Sequence, residues 1–310
     1  MRVLFWGTPE FATPALRALI GEGFDVVGVV TQPDKPVGRS RSRLQAPPVK
    51  HIAIEEGIPV LQPERPRGDD FLAQLTAIAP DISVVVAYGH ILSTAVIGLP
   101  RLGTINIHAS LLPKLRGAAP IQAAIREGHT ETGVTIMRMV QALDAGPSIL
   151  QVSTPIPDDE TYGELQIRLA EMGALALVEA LALIDLGKAA ETAQDDREAT
   201  YAGKIDRAAT KIDWSAEART VSRVIRAYDP RPGAVARLKH VEVKLFGARL
   251  APRGSESTPG EVLEIGANGM TVACGSGAVQ IAVLHPAGKR RLSPAEWAHG
   301  RGIAVGDRLS

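Results

Sequence analysis

Short apolar runs alternate with amphipathic stretches through the first half of the chain. Five of the runs have the length of a buried strand, and they cover 2–6, 26–31, 82–87, 104–108 and 134–139. Strands that are apolar on both faces and separated by helices are typical of a parallel sheet that is covered on both sides. The pattern therefore predicts an α/β fold, with a Rossmann-like, doubly wound and mostly parallel sheet.

Helical signals lie between these runs. Thr8-Pro9 supplies an N-cap and a first-turn proline for the first helix. Further helices are predicted over 47–56, 118–127 and 165–186. The turn after the first strand, Gly7-Thr8-Pro9, lacks the Gly-x-Gly-x-x-Gly pattern of dinucleotide-binding folds, which argues against a dehydrogenase.

The periodic spacing of apolar residues ends at residue 187. A different spacing, typical of short strands, begins in the region after residue 204. We interpret the polar stretch 188–204 as a linker between a first domain, 1–187, and a smaller one, 205–310. Short strand candidates separated by Gly, Pro and Asn turns follow at 234–238, 242–248, 260–265, 270–273 and 279–286. This spacing predicts a small β-barrel, for which an oligonucleotide-binding (OB-like) fold is a reasonable type.

Composition narrows the class of protein. A chain of 310 residues with 45% hydrophobic and 22% charged residues is ordinary for a globular protein with two domains. The opening apolar stretch is too short for a signal peptide or a membrane span, and the single cysteine, Cys274, fits a reducing compartment. We expect a cytoplasmic protein without a membrane partner. The seven histidines lack the close spacings of a zinc site, so no metal is predicted.

The zero net charge hides an asymmetry along the chain. Residues 1–204 carry 18 Lys and Arg against 24 Asp and Glu, a net charge of −6, whereas residues 205–310 carry 16 against 10, a net charge of +6. A cationic C-terminal part indicates contact with a polyanion. Counting noise over about a hundred residues is the alternative, because charge alone speaks to association rather than to fold.

The candidate chemistry is carried by a polar triplet of residues, Asn106, His108 and Asp144. Asn106 and His108 project from the same face of the predicted strand 104–108, and Asp144 follows after a helix-length gap. An amide donor, an imidazole and a carboxylate that orients the imidazole are the groups needed to transfer an acyl group without a covalent intermediate. The Asn-x-His pattern also arises by chance at the end of a strand, and the position of Asp144 alone favours a turn residue over a catalytic one.

A second candidate region is the long, basic stretch between Gln32 and Val49. It contains Pro33, Pro36 and Gly38, so a helix is not expected, and its cations stand against a single acid, Asp34. A loop of this length in a compact domain is usually functional or disordered. Contact with a phosphate backbone and a solvated, mobile loop are equally compatible with the charge. The cations of interest are Lys35, Arg39, Arg41 and Arg43.

Several sequence blocks together resemble the methionyl-tRNA formyltransferase family. The resemblance runs nearly the full length of the chain, and its blocks are GTPEFA from Gly7, TQPDKPVGR from Thr31, VVVAYG from Val84, GTINIHASLLPKLRGAAPIQ from Gly103, ETGVTIM from Glu131, LDAG from Leu143, IDWS from Ile212, IRAY from Ile225 and HPAGK from His285. The central block is shared by folate-dependent formyltransferases in general. The basic loop and the C-terminal blocks narrow the resemblance to the enzymes that act on tRNA.

The resemblance implies a reaction and roles for the polar triplet. The formyl donor would be 10-formyltetrahydrofolate, and the acceptor would be the α-amino group of methionine on initiator tRNA. By analogy, Asn106 would donate its amide to the formyl oxygen. His108 would either accept the proton that leaves the amine or, if protonated, stabilise the oxyanion, and Asp144 would bind the imidazole or an ordered water.

The resemblance also implies binding residues. Ser110, Leu111, Leu112 and Pro113 match the loop that holds the folate, with Val86 and Tyr88 expected on the opposite wall. Lys35, Arg39, Arg41 and Arg43, together with the domain 205–310, would bind the tRNA, and no obligate protein partner is indicated.

This chain departs from the family pattern in two places. The family usually has Gly-Leu-Asp-Thr-Gly-Asp around the catalytic aspartate, whereas Ala142-Leu143-Asp144-Ala145-Gly146-Pro147 stands here. A tryptophan usually found in the C-terminal domain is replaced by Arg231. The flanks of Asp144 are therefore altered although the aspartate itself is present.

Two other functions compete with the leading hypothesis, which is formylation of methionyl-tRNA. A folate-dependent formyltransferase for a small amine would share the triplet but would have no use for the basic loop or the cationic C-terminal domain. A non-catalytic RNA-binding protein would be free to lose Asn106, His108 and Asp144, yet all three are present.

Overall fold

The computed structural model describes residues 1–37, 43–251 and 257–310. Its strands are β1 (Arg2–Gly7), β2 (Asp25–Val30), β3 (Lys35–Val37), β4 (Arg43–Gln45), β5 (Val60–Leu61), β6 (Ile82–Val86), β7 (Thr104–His108), β8 (Arg116–Gly117), β9 (Glu131–Arg138), β10 (Ser148–Pro155), β11 (Tyr201–Ala202), β12 (Ala234–Leu238), β13 (Val241–Ala251), β14 (Val262–Gly266), β15 (Gly269–Ala273) and β16 (Ala278–Pro286). Its helices are α1 (Thr13–Gly21), α2 (Pro48–Glu55), α3 (Asp69–Ile78), α4 (Thr94–Ile97), α5 (Pro120–Glu127), α6 (Tyr162–Asp185), α7 (Ala218–Ala227) and α8 (Pro294–His299).

The described residues form two compact units. The first contains 1–117, 132–154 and 166–202, and the second contains 118–131, 155–165 and 203–310. Within the described ranges, no helix is both long enough and apolar enough to cross a bilayer.

A seven-stranded sheet forms the centre of the first unit. Its strand order is β5-β2-β1-β6-β7-β9-β10. The pairs from β5 to β7 are parallel, and β9 runs antiparallel to β7. The prediction of a mostly parallel sheet is confirmed. Because β7 has a neighbour on each side, the end of this strand lies inside the sheet rather than at its edge.

An apolar cluster packs against this sheet. Trp6 of β1 makes edge-to-face contacts with Phe71 of α3 and with Tyr88, at centroid distances of 6.0 and 5.3 Å. All three rings are buried, and the cluster also includes Leu4 and Leu75. Aromatic pairs of this geometry add to the stabilisation that comes from burial alone.

The start of the first helix differs from the prediction. A short 3-10 turn covers Glu10–Ala12, and α1 begins only at Thr13. Thr8 does not cap a helix, because its hydroxyl oxygen accepts from the backbone N–H of Gln32 at 3.4 Å while the hydroxyl donates to the carbonyl of Tyr88 at 3.1 Å. The prediction of an N-cap at Thr8 was wrong since a tertiary contact takes the hydroxyl that a cap would use.

The second unit is built on an antiparallel sheet of order β12-β13-β16-β15-β14. The strongly amphipathic α7 packs on β13, and α8 begins with a capping box in which Ser293 and Glu296 bond each other's backbone. The buried core of this unit includes Trp214, Tyr228, Leu245, Val279 and Trp297. Cys274 is buried as well, and the loss of solvation raises the pKa of its thiol to about 11.

Candidate active site

Asn106 and His108 lie at the carboxyl end of β7, where the neighbouring parallel strands also end. Asn106 pairs with Val85 of β6 and with Met137 of β9. Its side chain is half-buried, whereas the residues before and after it are buried. The carboxyl edge of a parallel sheet is where α/β folds hold their ligands. The structure therefore presents the Asn106 amide at that edge.

His108 is buried and oriented by two contacts. Its Nε2 lies 2.9 Å from the carbonyl oxygen of Leu115, and its Nδ1 lies 3.7 Å from Oδ2 of Asp144. A carbonyl can only accept, so Nε2 carries the hydrogen of this bond. Nδ1 is thus the nitrogen that can gain or lose a proton. Its distance to Asp144 is that of an ion pair rather than of a direct hydrogen bond.

Asp144 lies in the turn between β9 and β10, with its side chain mostly buried. The backbone has φ +48°, in the left-handed region that few residues other than Gly, Asn and Asp occupy. Oδ2 accepts a hydrogen bond from the backbone N–H of Gly117 at 2.8 Å. One carboxylate oxygen therefore faces both the Gly117 amide and His108.

A second layer of polar residues holds this turn. Nε2 of Gln194 donates to the carbonyl oxygens of Asp144 and Gly146, at 2.8 and 2.7 Å. Oε1 of Gln194 accepts from Nε and Nη2 of the buried Arg116, at 3.0 and 2.8 Å. Nη2 of Arg116 also lies 2.8 Å from Asp196.

Sequence reasoning missed this second layer. Arg116 lies inside the block that begins at Gly103, and that membership was the available signal for it. Gln194 had no signal at all, because it lies in a polar stretch without period or motif.

The loop from Ser110 to Pro113 is held by its neighbours on β9 and β10. The hydroxyl of Thr135 donates to the Ser110 carbonyl at 2.7 Å and accepts from the Leu112 amide at 3.1 Å. Nε2 of Gln151 donates to the Leu112 carbonyl at 2.7 Å. Leu111 and Pro113 remain half-buried, whereas Leu112 and Ser110 are buried. Leu111 and Pro113 are thus the two side chains of this loop that reach solvent.

Val86 and Tyr88, predicted as the opposite wall, are both almost fully buried. The Tyr88 ring belongs to the apolar cluster with Trp6, and burial raises the pKa of its phenol to about 12. Its carbonyl already accepts hydrogen bonds from Thr8 and Gln32. The side chain of Tyr88 therefore packs in the core instead of lining an open surface.

Exposed apolar side chains occur close to Asp144 in the chain. Leu143 is 59% exposed, Val140 is 41% exposed and Ile91 is 84% exposed. A hydrogen bond from Thr94 to Gln141 brings the segment that follows Ile91 to the turn that holds Val140 and Leu143. Clustered exposure of apolar groups marks a binding surface more often than a single exposed residue does. In the sequence, the available signal for this surface was that these apolar residues lie among polar neighbours.

The basic stretch forms a two-stranded hairpin at its base. Lys35 of β3 pairs with Gln45, and Val37 pairs with Arg43 of β4. Lys35 and Arg43 are exposed, while the predicted tRNA-binding residues Arg39 and Arg41 lie outside the described residues. The sequence predicted a long loop in which a helix is not expected, and the described part of the stretch contains two short paired strands.

Asp34 anchors the start of this hairpin. Its carboxylate accepts hydrogen bonds from Gln62 at 2.7 Å and from Lys50 at 2.8 Å. These two contacts lower the pKa of the carboxyl group, the bond from Gln62 contributing most. The lone acid in the basic stretch is therefore a structural anchor.

The described residues of this site do not form a cluster of metal-ligating side chains. In the ranges that the structure describes, no group of three His, Cys, Asp or Glu side chains is placed to hold a metal ion.

Comparisons with known proteins cover the whole chain. Residues 1–181 match the formyl transferase family, and residues 204–302 match the formyl transferase C-terminal domain. The methionyl-tRNA formyltransferase of Aromatoleum aromaticum is 48% identical over 309 residues, covering 100% of this chain and 97% of the relative. That of Methylococcus capsulatus is 44% identical and covers 100% and 99%.

Solved structures share the fold at low sequence identity. HypX from Aquifex aeolicus in complex with tetrahydrofolic acid has a TM-score of 0.70 at 21% identity, covering 99% of this chain and 48% of HypX. The sugar 3N-formyl transferase WlaRD has a TM-score of 0.67 at 19% identity, covering 94% and 99%. Taken with the family matches and with identities near 45% over the full length, these findings show that the chain belongs to the methionyl-tRNA formyltransferase family.

Proposed function

We propose that this protein transfers the formyl group of 10-formyltetrahydrofolate to the α-amino group of methionyl-initiator tRNA, giving formylmethionyl-tRNA for translation initiation. The observation that carries the proposal is the convergence of Asn106, His108 and Asp144 at the carboxyl end of β7. Sequence identity of 48% and 44% to two methionyl-tRNA formyltransferases, over the full length of the chain, supports methionyl-tRNA as the acceptor. We expect the protein to act in the cytoplasm, where translation begins.

The reaction joins the amine nitrogen to the formyl carbon, breaks the bond from that carbon to N10 of the folate, and moves one proton from the amine to N10. Asn106 donates its amide to the formyl oxygen, on which negative charge grows as the amine attacks. A donor preorganised at such an oxygen typically contributes a factor of about a hundred to a thousand in rate. The half-buried position of Asn106 supports this role because the amide is held by the sheet and still reaches the edge.

His108 takes the proton of the attacking amine on Nδ1 and passes it to the leaving nitrogen. The bond from Nε2 to the Leu115 carbonyl supports the choice of Nδ1, since that bond keeps Nε2 protonated throughout. Asp144, with its carboxylate 3.7 Å from Nδ1, stabilises the imidazolium while it carries the proton. This assigns His108 the part of a general base first and of a general acid second.

The folate binds against the loop of Ser110, Leu111, Leu112 and Pro113 in this proposal. A pterin needs an apolar surface for its ring and backbone groups for its polar edge. The half-buried Leu111 and the exposed Leu143 and Ile91 fit the first need. The carbonyl oxygens of Ser110 and Leu112 fit the second, since each accepts one hydrogen bond from the protein and has a second lone pair for the ligand. The side chain of Tyr88 takes no part, because it is packed against Trp6.

The tRNA is bound by exposed cations. Lys35 and Arg43 project from the hairpin, Arg39 and Arg41 belong to the same basic stretch, and the C-terminal residues 205–310 carry a net charge of +6. A polyanion is attracted by such surfaces with a strength that falls steeply with salt.

The C-terminal sheet closes into an OB-like barrel in this proposal. Backbone bridges support closure, because Leu309 pairs with Leu238 at the end of β12 and Arg308 pairs with Glu261 beside β14. The final residues thus join the two outer strands of the sheet, which leaves no open edge there.

A formyltransferase for a small amine is the alternative, and sugar formyltransferases share the fold. The test is to incubate the protein with the formyl donor and either charged initiator methionyl-tRNA, charged elongator methionyl-tRNA or a nucleotide-linked amino sugar, and to quantify each formylated product. We expect formylmethionine from the initiator tRNA. Formylation of the amino sugar alone would contradict the proposal.

The His108→Ala variant provides the control for this experiment. It should abolish transfer while binding charged tRNA with an affinity within about twofold of the wild type, because the buried side chain of His108 offers almost no surface to the tRNA. Equal loss of transfer and of tRNA binding would mean that His108 maintains the fold instead of performing chemistry.

A further inference from the structure

The segment that follows α6 runs along the turn that carries Asp144. Thr192 and Ser148 exchange backbone hydrogen bonds, at 2.8 and 2.9 Å. Further along, Thr200 accepts from the Arg116 amide through its carbonyl and from the Leu115 amide through its hydroxyl, at 2.8 and 2.9 Å. The segment is therefore joined at both ends to elements that hold the catalytic groups.

Gln194 lies in the middle of this segment, and both the oxygen and the nitrogen of its side-chain amide have hydrogen-bond partners. Both lone pairs of Oε1 face the guanidinium of Arg116, and both N–H bonds of Nε2 point at backbone carbonyls, those of Asp144 and Gly146. Arginine has only donors and a carbonyl has only acceptors, so the amide has one possible orientation. Arg116 thus determines which end of Gln194 faces the Asp144 turn.

The turn needs such a hold because its backbone is unusual. Asp144 has φ +48°, and a Cβ at Gly146 would lie 1.8 Å from the carbonyl oxygen of Arg138. Asp enters the left-handed region more readily than most residues, but contacts with its surroundings still have to favour that conformation over the ordinary one. The side chain of Asp144 meets Gly117 and His108 only while its backbone holds this conformation.

We propose that Gln194 is a positioning residue for the reaction: its two donor bonds hold the backbone of Asp144 and Gly146 so that the carboxylate of Asp144 faces Nδ1 of His108. Arg116 in turn holds Gln194, and Asp196 pairs with Arg116 from the surface. The proposal rests on the proposed function, since it assigns Gln194 a part in the same proton transfer.

Two substitutions at position 194 separate this role from a purely structural one. Gln194→Met removes both the donor and the acceptor of the amide at nearly constant volume. Gln194→Glu keeps the two bonds from Arg116 and replaces the donors by anionic oxygens, which cannot bond the two carbonyls. If only the Arg116 contact mattered, Gln194→Glu would behave as the wild type.

The experiment measures steady-state formylation of charged initiator tRNA from pH 5.5 to pH 8.5, with the melting temperature of each variant. We expect both variants to lose about tenfold or more in kcat at pH 7.5, with the KM values for folate and tRNA within about twofold, as displacement of a catalytic group predicts. Asp196→Asn, at the exposed end of the chain of contacts, should lose less than threefold.

Wild-type kcat in Gln194→Glu would overturn the proposal, since the donor bonds would then be dispensable. A rise in either KM as large as the loss of kcat would also overturn it, because a generally loosened site gives that result. Failure of the wild type itself to formylate initiator methionyl-tRNA would instead contradict the proposed function, so the two failures are distinguishable.

Discussion

Two polar regions of the first unit differ in how their side chains are held. Around Asp144, the side chains of His108, Gln194 and Asp144 itself each have a partner at hydrogen-bond or ion-pair distance, and the buried Arg116 is held in the same network. In the basic hairpin, Lys35 and Arg43 are exposed, and the anchor is Asp34 at its base. Proton transfer needs atoms held to fractions of an ångström, whereas a polyanion needs only a positive surface. The contrast assigns chemistry to the first region and affinity to the second.

The energetic consequences of a substitution differ in the same way. Removing one partner from a buried polar network leaves another group unsatisfied, at a cost of about 1–3 kcal/mol. Removing an exposed cation leaves the fold nearly unchanged, because surface ion pairs contribute less than about 1 kcal/mol. Substitutions near Asp144 should therefore change kcat, and substitutions in the hairpin should change KM for tRNA.

After His108→Ala, the largest effect is expected for Asn106→Ala. The variant removes the donor to the formyl oxygen and should lower kcat by about a hundred- to a thousandfold, as the loss of one oxyanion donor typically does. Single-turnover formylation with saturating folate and tRNA measures this loss.

The other asparagine in the chain supplies the control, since Asn268 is exposed in the turn between β14 and β15. Asn268→Ala should keep the wild-type rate. A kcat within threefold of the wild type in Asn106→Ala would remove Asn106 from the reaction.

An intermediate effect is expected for Gly117→Ala. Gly117 has φ +120°, and a Cβ there would lie 2.5 Å from the carbonyl oxygen of Ala202, so the backbone that donates to Asp144 must shift. We expect a loss of about tenfold in kcat and about 2 kcal/mol in the free energy of unfolding. Kinetics and chemical denaturation measure the two losses.

Gly187→Ala is the matched control, because Gly187 also has a positive φ, +65°, but a Cβ there would meet nothing within 4 Å. It should lose about 1 kcal/mol in stability and no activity. Equal kcat values in the two variants would show that the Gly117 amide is not needed to hold Asp144.

The smallest effect is expected in the hairpin. Lys35→Ala and Arg43→Ala should each raise KM for tRNA by about threefold and leave kcat unchanged. Each should also reduce the slope of log affinity against log salt concentration by about one unit, as the loss of a phosphate contact does. Filter binding at several salt concentrations measures this slope.

Arg17→Ala serves as the control for the hairpin, since Arg17 is an exposed cation of α1 that pairs with Glu55. Its salt slope should equal that of the wild type. The same slope in Lys35→Ala and Arg43→Ala would mean that these cations only solvate the hairpin.

Much of the fold follows from local pattern. The apolar runs predicted the strands of the central sheet, and β7 has the predicted bounds, Thr104–His108. Alternation along that strand is enough to put Asn106 and His108 on one face. Signals for α3 and β10 were missed. No side chain caps the N-terminus of α3, and β10 alternates only between half-buried and exposed residues.

The error at Thr8 has an identifiable cause. Thr8 looked like an N-cap, but its hydroxyl bonds the Tyr88 carbonyl 80 residues away. The ring of Tyr88 packs in the cluster with Trp6 and Phe71, and its place in the folate wall stays a prediction. Both residues carry a local signal in the sequence and have a distant partner in the fold.

The sequence by itself determined the α/β class, the family resemblance and the position of the polar triplet, because these depend on periodicity and on motifs that are local in the chain. Only the tertiary structure decided which nitrogen of His108 faces Asp144, and that Gln194 and Arg116 stand behind that carboxylate. The physical reason is distance along the chain: Gln194 lies 50 residues from Asp144 and 78 from Arg116, and contacts that far apart leave no period or spacing in the sequence.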